Sequence, residues 1–335
     1  MSVSPAPIRE PMLPGRGSGG APRPAWRSRL TRLDTKVTPY LMIAPFFILF
    51  GAFGLFPLIF NIAVSFRSWR LDDPDAQGLF GKSWSGLDNY TALLHDDEMW
   101  GALKNTIGLF VLSTIPQILT ALLLAGILNR KLRFQTLFRM GVLLPYVTPI
   151  AASTLVFGAV FTLDTGIVDS LLTQVGLPSV DWHAEVWSSW LAIITMVNWR
   201  WTGYWAIIFL AAMQAIPRDL YEAATVDGAK VWTQFWKITV PLIRPSILFA
   251  VIVSTIGGLQ LFAEPLLFDE GKATDANGGS YHQFQTIGIY IYKTAWKSLN
   301  MGGAAAISVG LFLLIIVITS MNAWITNRVA RGGRS

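Results

Sequence analysis

Six long apolar stretches alternate with polar connections along the chain. Each is long enough to cross a bilayer as a helix, which takes ~20 residues. Because the hydrocarbon core offers no water to unpaired backbone groups, such stretches are expected to be helical. The pattern therefore predicts an all-α, polytopic membrane protein with six transmembrane helices. The stretches lie near residues 41–66, 103–128, 138–162, 186–213, 239–268 and 304–326.

Prolines occur within several of these stretches and do not argue against the assignment. Transmembrane helices tolerate proline where neighbouring helices or polar side chains satisfy the freed carbonyls. Pro241 and Pro245 frame an interfacial entry to the fifth stretch, so its helix is expected to begin either at 239 or nearer 245. The prolines inside the predicted spans are Pro57, Pro116, Pro145 and Pro149.

The composition agrees with a membrane protein. The 335 residues are 53% hydrophobic and 14% charged, whereas soluble domains carry about 25% charged residues. The sequence contains no cysteine, which excludes a disulfide framework, thiolate chemistry and a cysteine metal site.

The beginning of the chain differs from the rest because it is rich in proline, glycine and arginine. With little apolar surface to bury, residues 1–38 are expected to form a disordered basic tail. A cleaved signal peptide would have a shorter apolar core and a small-residue cleavage site, so 41–66 is predicted to be an uncleaved first span. A six-helix transmembrane domain at 39–327 and a short tail at 328–335 complete the expected organisation.

The distribution of basic residues predicts the orientation of the chain. Most of the 26 Lys and Arg residues lie in the two terminal tails and in the connections 129–139 and 214–244. By the positive-inside rule these segments, and therefore both termini, are cytoplasmic. The net charge of +6 is thus a topology signal, and no nucleic-acid-binding motif accompanies it.

The connection at 217–241 has the pattern of a compact helix–turn–helix. Pro217 precedes a helix whose first turn carries Asp219 and Glu222, which interact favourably with the helix dipole. Gly228 permits a sharp reversal into a second amphipathic piece. From these features alone, the segment is either an ordinary interfacial connection or a knob that another protein binds.

The residues of this connection resemble a known motif. The stretch EAATVDGAKVWTQFWKITVP is similar to the EAA loop of binding-protein-dependent ABC permeases, in which EAA, three residues, Gly, nine residues and Ile precede a residue and Leu-Pro. The spacing matches throughout, and the only departure is Val240 where Leu is usual. By this resemblance residues 217–241 form a coupling loop, and the residues expected to contact the ATPase are Glu222, Ala223, Ala224, Asp227 and Gly228.

The resemblance covers about residues 40 to 327 and favours the carbohydrate branch of the family. The chain is similar to the maltose-type permease subunit without its large periplasmic domain, and further to the cellobiose and other oligosaccharide permeases of actinobacteria. The additional residues that carry this resemblance are the run GLDNY at 86–90, Trp100, Asn105, Thr106, the Leu144-Pro145 pair and Pro149.

The resemblance implies a fold, an activity and partners. The fold is that of a type I ABC importer permease in the bacterial cell (inner or plasma) membrane, with lipid around it. A second homologous permease would form a heterodimer with this chain, two ATP-binding subunits would bind the coupling loops, and an extracytoplasmic binding protein would deliver a sugar, such as a disaccharide. ATP and Mg would be bound by the ATPase subunits, so this chain is expected to bind no cofactor.

The residues outside the motif give no sign of an enzyme. The run GLFGKS at 78–83 ends like a phosphate-binding loop, but Ala76 stands where that loop needs glycine. The spans contain no paired acids and no nucleophile with a base, so no catalytic residue is expected. The carboxylates at 96–98 are interpreted as a solvated outer surface or a docking rim. Three histidines in outer connections, without an i, i+4 pair, are interpreted as solvated residues and not as metal ligands: His95, His183 and His282.

Charged and polar residues inside the fourth and fifth spans are the candidates for the solute pathway. An arginine at the centre of a transmembrane helix costs ~2.5–3.5 kcal/mol on insertion scales, so Arg200 should face a polar cavity or a partner. Arg200 and Tyr204 share a helix face, as do Gln260 and Glu264. We expect Arg200 to pair with Glu264, with Trp201, Tyr204 and Gln260 lining a sugar pocket, a location that the maltose-type resemblance supports. The alternative is purely structural, in which the tryptophans pack helices and Arg200 ties two of them together.

A different class of transporter has to be weighed against this interpretation. A self-sufficient secondary transporter or channel would need ion-coupling acids near the membrane midplane, and the spans offer essentially Glu264 alone. The sequence therefore favours a permease subunit that is powered by partner chains.

Overall fold

The computed structural model describes residues 25–73, 83–130, 133–268 and 277–332, with side chains described only between 37 and 324. Of the tail expected to be disordered, residues 25–38 are described, and their backbone is helical. Residues 1–24 and most of the GLFGKS run lie outside the described residues. The chain divides into two compact units, residues 1–59 and 60–335.

The first predicted span is one long helix with a change of hydrogen bonding. Helix α1 (Ala25–Phe50) continues as a π-helical turn (Gly51–Leu55) and then as α2 (Phe56–Ser65). The wider turn ends two residues before Pro57, which has no N–H to donate and whose ring crowds the preceding turn. The helix from Val37 to Ser65 is long and apolar enough to span a membrane.

The second unit is mainly helical. Its two short strands, β1 (Arg67–Ser68) and β2 (Ser83–Trp84), pair in antiparallel fashion. The helices before the coupling loop are α3 (Asp88–Leu94), α4 (Asp97–Leu128), α5 (Gln135–Val147), α6 (Ile150–Val160), α7 (Ile167–Gln174) and α8 (Val186–Gln214).

The second half of this unit begins with the coupling loop and contains seven further helices in the part of the chain that the structure describes. Two π-helical turns, Phe235–Thr239 and Lys293–Lys297, extend α10 and α14. The helices are α9 (Asp219–Val226), α10 (Val231–Gln234), α11 (Val240–Leu242), α12 (Arg244–Leu259), α13 (Ala263–Phe268), α14 (Ile287–Tyr292) and α15 (Met301–Gly332).

The six predicted spans are all recognisable in these helices. Among the described residues, three continuous helices are long and apolar enough to cross a membrane (37–65, 97–128 and 301–324), and two bent pairs bring the number to five. The remaining predicted stretch, the fourth along the chain, corresponds to α8. Its 29 residues extend for about 43 Å at 1.5 Å per residue, although Asn198 and Arg200 reduce its hydrophobicity.

The third span is not the continuous helix that the pattern 138–162 predicts. Helices α5 and α6 meet at an angle of 93° across Thr148, which is extended (φ −65°, ψ 132°). The cause is Pro149, whose ring disfavours helical backbone at the residue before it. The proline therefore breaks the span.

The fifth span is also broken, at both ends of α12. Its entry turns by 68° and α12 starts at Arg244, as the alternative start near 245 predicts. At the other end the helix stops before Gln260 and resumes as α13. Pro265 accounts for this break because its ring would clash with the carbonyl four residues earlier in a continuous helix. That carbonyl, of Leu261, accepts a hydrogen bond from Thr286 Oγ1 instead (2.7 Å).

The largest hydrophobic core of the second unit lies between α4, α8 and α12. Trp205 and Phe209 of α8 are essentially fully buried there. Helix α5 approaches α8 closely at Gly203, where an added Cβ would lie 1.8 Å from the carbonyl oxygen of Val142. No side chain fits at that contact, so glycine sets the distance between these two helices.

Two residues that carry the sugar-permease resemblance have structural roles at the start of α4. Asn105 Nδ2 donates to the carbonyls of His282 (2.8 Å) and Gln285 (3.0 Å). Thr106 Oγ1 accepts a hydrogen bond from the backbone N–H of Ile287 (2.8 Å). The two side chains thus attach the segment before α14 to α4.

The carboxylates at 96–98 are more than a solvated surface, which corrects the sequence interpretation. Asp96 caps α4 by accepting from the backbone N–H of Glu98 (2.9 Å), and it also accepts from the Tyr290 hydroxyl. Burial and this bond raise the pKa of Tyr290 above its ordinary value, which keeps the phenol protonated as the donor. Glu98 accepts from Lys293 Nζ and from Gln285 Nε2.

All three histidines have partners within the protein. The His183 ring stacks on Phe268, with centroids 4.4 Å apart, and its Nε2 lies 3.1 Å from the Phe268 carbonyl oxygen. His282 Nδ1 lies 2.9 Å from the carbonyl oxygen of Asn277. His95 is exposed, as expected, and its Nδ1 lies 2.8 Å from the carbonyl oxygen of Thr91.

Candidate functional site

A cavity of about 450 Å³ opens between α4, α8 and the broken end of α12. Its walls combine aromatic, amide, hydroxyl and carboxylate groups. The break after α12 shapes it, because the irregular backbone turns the side chains of Gln260 and Glu264 to its wall. The polar and aromatic residues that line it are Ser113, Thr114, Gln117, Trp201, Trp205, Ser254, Gln260, Phe262 and Glu264.

The ion pair predicted from the sequence is present beside this cavity. Arg200 Nη1 lies 3.1 Å from Glu264 Oε1, and the two side chains are only 12% and 8% exposed. Burial in a low-dielectric environment makes such a pair costly to separate. Arg200 Nε is buried and has no hydrogen-bond partner among the described residues.

The structure brings together three of the five predicted pathway residues at the cavity wall. Trp201, Gln260 and Glu264 line it, and Arg200 reaches it through Glu264. Tyr204 does not line it. Its ring is stacked on Tyr146 of α5, with centroids 4.7 Å apart and an interplanar angle of 23°, so this residue joins α5 to α8.

Sequence reasoning missed the contribution of α4. Ser113, Thr114 and Gln117 are each less than 10% exposed, and Ser254 Oγ donates to Gln117 Oε1 across the cavity (3.4 Å). The signal that could have identified this face of α4 is three polar residues at i, i+1 and i+4 in an otherwise apolar span. Burying polar groups in a membrane costs free energy, so such residues usually have a function.

The coupling loop folds as the helix–turn–helix that its pattern predicts. Helix α9 ends in a Schellman motif, in which Ala229 N–H donates to the Ala224 carbonyl (2.9 Å) and Gly228 N–H to the Thr225 carbonyl (3.0 Å). Gly228 has the positive φ of 76° that this motif requires. The sequence therefore specifies both the helix and its stop.

Side-chain hydrogen bonds attach α9 to the segment that follows the turn. The Tyr221 hydroxyl lies 2.9 Å from Thr239 Oγ1. Gln234 Nε2 donates to Thr225 Oγ1 (3.0 Å) and to the Ala229 carbonyl (2.9 Å). These bonds connect both arms of the loop, which therefore can move as one body.

The outer side of the coupling loop is exposed and partly apolar. Val226 is 88% exposed and Leu220 42% exposed. Exposed apolar patches of this kind mark surfaces that bind other proteins. Of the predicted contact residues, Ala224 is half-buried, and those that are exposed are Glu222, Ala223, Asp227 and Gly228.

Six spans, a polar cavity at a broken helix and a projecting helical loop define a multi-span membrane transport subunit. The chain belongs to the family of binding-protein-dependent transport system inner membrane components, whose sequence model matches residues 117–331. It is therefore the permease subunit of an ABC importer. Membership of this family speaks against a self-sufficient secondary transporter or channel.

Relatives along most of the chain are named as sugar permeases. The lactose transport system permease protein LacF of Rhizobium radiobacter is 36% identical over 287 residues, which cover 84% of this chain and 92% of the relative. The arabinooligosaccharides transport system permease protein AraP of Halalkalibacterium halodurans is 33% identical over 299 residues, covering 89% and 90%. These similarities agree with the carbohydrate branch predicted from the sequence.

A solved structure shares the fold. A chain of a bacterial alginate ABC transporter, crystallised with an alginate-bound periplasmic protein, superposes with a TM-score of 0.74 at 22% identity. The superposition covers 92% of this chain and 98% of that chain. The predicted type I importer permease fold is therefore confirmed.

Proposed function

We propose that the cavity at the broken end of α12 is this chain's half of a sugar pathway, and that the imported solute is an oligosaccharide. The observation that carries the proposal is the combination of Trp201 with Gln117 and Gln260 in one cavity of about 450 Å³. That volume lies within the usual range for small-molecule sites. The sugars in the relatives' names support the same ligand class.

The chemistry of the wall suits a sugar. An indole face provides apolar area against the C–H face of a pyranose ring, while amide groups donate to and accept from its hydroxyls. Gln117 and Gln260 supply both functions, and Ser254 adds a hydroxyl. The adjacent Arg200–Glu264 pair adds directional donors and acceptors without a net charge, which is appropriate for a neutral ligand.

Uptake measurements in the assembled importer test this proposal. We expect Gln260→Ala and Trp201→Ala to raise the KM for uptake of the cognate oligosaccharide by roughly 5- to 13-fold. Each variant loses one neutral hydrogen bond or one stacking contact, which is worth about 1–1.5 kcal/mol. Trp199→Ala is the matched control, since Trp199 lies on the same helix as Trp201 but does not line the cavity. Unchanged uptake in both cavity variants, with the complex intact, would refute the proposal.

The proposal includes the partners that power transport. A second homologous permease would close the other side of the pathway, and an extracytoplasmic binding protein would deliver the sugar. Two ATPase subunits, which bind ATP and Mg, would each hold a coupling loop. ATP-driven closure of the ATPase dimer would then bring the loops together and switch the helices from inward-facing to outward-facing. The connected arms of the loop support this lever role.

Co-purification tests the ATPase contact directly. Glu222 is exposed on α9, so Glu222→Lys changes the docking surface without disturbing the core. We expect the variant to lose the ATPase subunits while it retains the second permease. Asp219→Lys, a substitution in the same helix outside the motif, should retain both. An ATPase that still binds and couples normally to Glu222→Lys would contradict the assigned role.

A further inference from the structure

Two adjoining cavities lie beside the coupling loop, apart from the sugar cavity. The first, which we call the basic cavity, has a volume of about 420 Å³ and is lined by Arg130, Arg218, Gln135 and Gln214 among others. The second, which we call the apolar groove, has a volume of about 480 Å³. They form one continuous depression because both are lined by Asn129, Arg130, Met213 and Tyr221.

The basic cavity carries two uncompensated positive charges. No acidic residue lines it among the described residues. Arg130 follows the end of α4 and Arg218 precedes α9, and both are exposed. Neither guanidinium has a carboxylate within ion-pair distance in the described part of the chain. Arginine presents a rigid fork of donors that matches phosphate oxygens, so the pair favours a phosphate-bearing ligand.

The apolar groove supplies the complementary half of such a ligand site. Leu123 and Ile127 of α4 form one wall, and Trp232 and Phe235 the other. Ile127 is 54% and Trp232 64% exposed, so the groove is open along its length. A hydrocarbon chain placed there would cover apolar surface that is otherwise in contact with solvent.

We propose that the basic cavity and the apolar groove together bind one anionic phospholipid of the cytoplasmic leaflet. Its phosphate lies between Arg130 and Arg218, and one acyl chain lies in the groove against Ile127 and Trp232. Basic pockets between transmembrane helices on the cytoplasmic side are a recognised setting for anionic head groups. The proposal rests on the orientation proposed for the permease, which places the coupling loop in the cytoplasm.

The proposed lipid site adjoins the coupling loop, so a bound lipid affects the stability of that loop. Tyr221 lines both cavities, and its hydroxyl connects α9 to Thr239. A lipid in place packs against the inner side of the coupling loop, while the exposed Glu222 side stays free for the ATPase. Occupancy therefore stabilises the loop in the conformation that the partner binds.

Thermal unfolding of the purified importer in detergent, with defined lipids added back, tests the site. We expect phosphatidylglycerol to raise the unfolding midpoint of the permease by several degrees and phosphatidylcholine with the same acyl chains to raise it much less. The variant Arg130→Gln/Arg218→Gln should lose the difference between the two lipids. Because both arginines are exposed, this variant should fold and unfold like the wild type without added lipid.

Matched controls separate the possible ligands. Arg133→Gln/Lys237→Gln removes the same charge outside both cavities and should keep the full phosphatidylglycerol effect. An equal effect in wild type and Arg130→Gln/Arg218→Gln would overturn the proposal, as would the same stabilisation by inorganic phosphate alone. Loss of the ATPase subunits from the lipid-free variant would also overturn it, because the arginines would then belong to the ATPase contact. Gln260→Ala should keep the full difference between the two lipids, because Gln260 lines neither of these cavities. Failure of the sugar proposal can therefore be distinguished from failure of the lipid proposal.

Discussion

At the scale of single residues, the buried ion pair is the clearest case in which sequence reasoning succeeds. A lone arginine in an apolar span needs a partner, and the acid on the neighbouring span was the available choice. The structure places Arg200 Nη1 3.1 Å from Glu264 Oε1. The neighbouring aromatic residues were harder to assign, because a tryptophan or tyrosine packs equally well against a helix or a ligand. Tyr204 accordingly joins α5 instead of lining the cavity.

Removing one member of the ion pair should destabilise the permease. Breaking a buried pair leaves an uncompensated charge, which costs ~3–5 kcal/mol. We expect Arg200→Gln to lower the unfolding midpoint in detergent substantially, and Arg200→Gln/Glu264→Gln to recover much of the loss. A double-mutant cycle on unfolding free energies measures this coupling. Strict additivity of the two single substitutions would show that the pair contributes nothing specific.

A second buried acid makes stability depend on pH. Asp169 is fully buried and accepts hydrogen bonds from the backbone N–H groups of Val180 and Asp164 (2.8 Å each). The bond from Val180, followed by that from Asp164, holds the pKa of Asp169 below its ordinary value. A carboxyl group whose pKa is lower in the folded state stabilises that state above its unfolded pKa, and this contribution is lost as pH falls through the folded pKa.

The expected outcome is a pH-dependent difference between wild type and Asp169→Asn. At pH 7 the variant should unfold at a lower temperature, because the amide is a weaker acceptor and brings its own donors into a site that offers N–H groups. The difference should begin to shrink as pH falls below about 4, the ordinary pKa of aspartate in the unfolded chain. It should vanish as pH falls further through the lower pKa of the folded carboxyl group. Asp181→Asn is a suitable comparison in the same connection. A difference that stays constant from pH 7 to pH 3 would contradict the assigned role of the charge.

At the scale of elements, the prolines show which part of the fold the sequence does not specify by itself. Helix α4 continues through Pro116, whereas the third span breaks at Pro149 and the fifth before Pro265. A proline in a span is tolerated or breaks the helix according to whether the freed carbonyl finds another partner. For Pro265 that partner is Thr286, which is 25 residues away from Leu261. A hydrogen bond between residues so far apart in the sequence cannot be predicted from the local pattern.

The coupling loop is an element that the sequence does specify, and its turn can be tested. Gly228 has φ +76° and open space around the position of an added Cβ, so substitution affects only the backbone. Gly228→Val should cost roughly 1–2 kcal/mol of local stability. We expect amide hydrogen exchange in α9 to accelerate by about 10-fold, since 1.4 kcal/mol is one decade. Gly228→Asn is the control because asparagine tolerates left-handed backbone. Equal exchange in the valine variant and the wild type would exclude the turn as the element that holds α9.

At the scale of the whole molecule, the six candidate spans can be recognised in the sequence, while the cavity cannot. Six apolar stretches are visible along the chain, including α8 with its polar centre. The cavity requires side chains from α4, α8 and the break after α12 to meet, and only the tertiary structure shows that Gln117 faces Ser254. The family relationship supplies the fold and the type of activity, but the residues that contact the solute have to be tested on this chain.

The orientation of the chain in the membrane is the property on which both the ATPase contact and the lipid site depend. Because the sequence contains no cysteine, single cysteines report topology without background. Val226 is 88% exposed on the coupling loop, and Leu177 is 53% exposed in the connection between α7 and α8. If the basic connections are cytoplasmic, a membrane-impermeant maleimide added to intact cells should label Leu177→Cys and not Val226→Cys, and inside-out vesicles should reverse the result. Labelling of Val226→Cys in intact cells would place the coupling loop outside, where no ATPase could reach it.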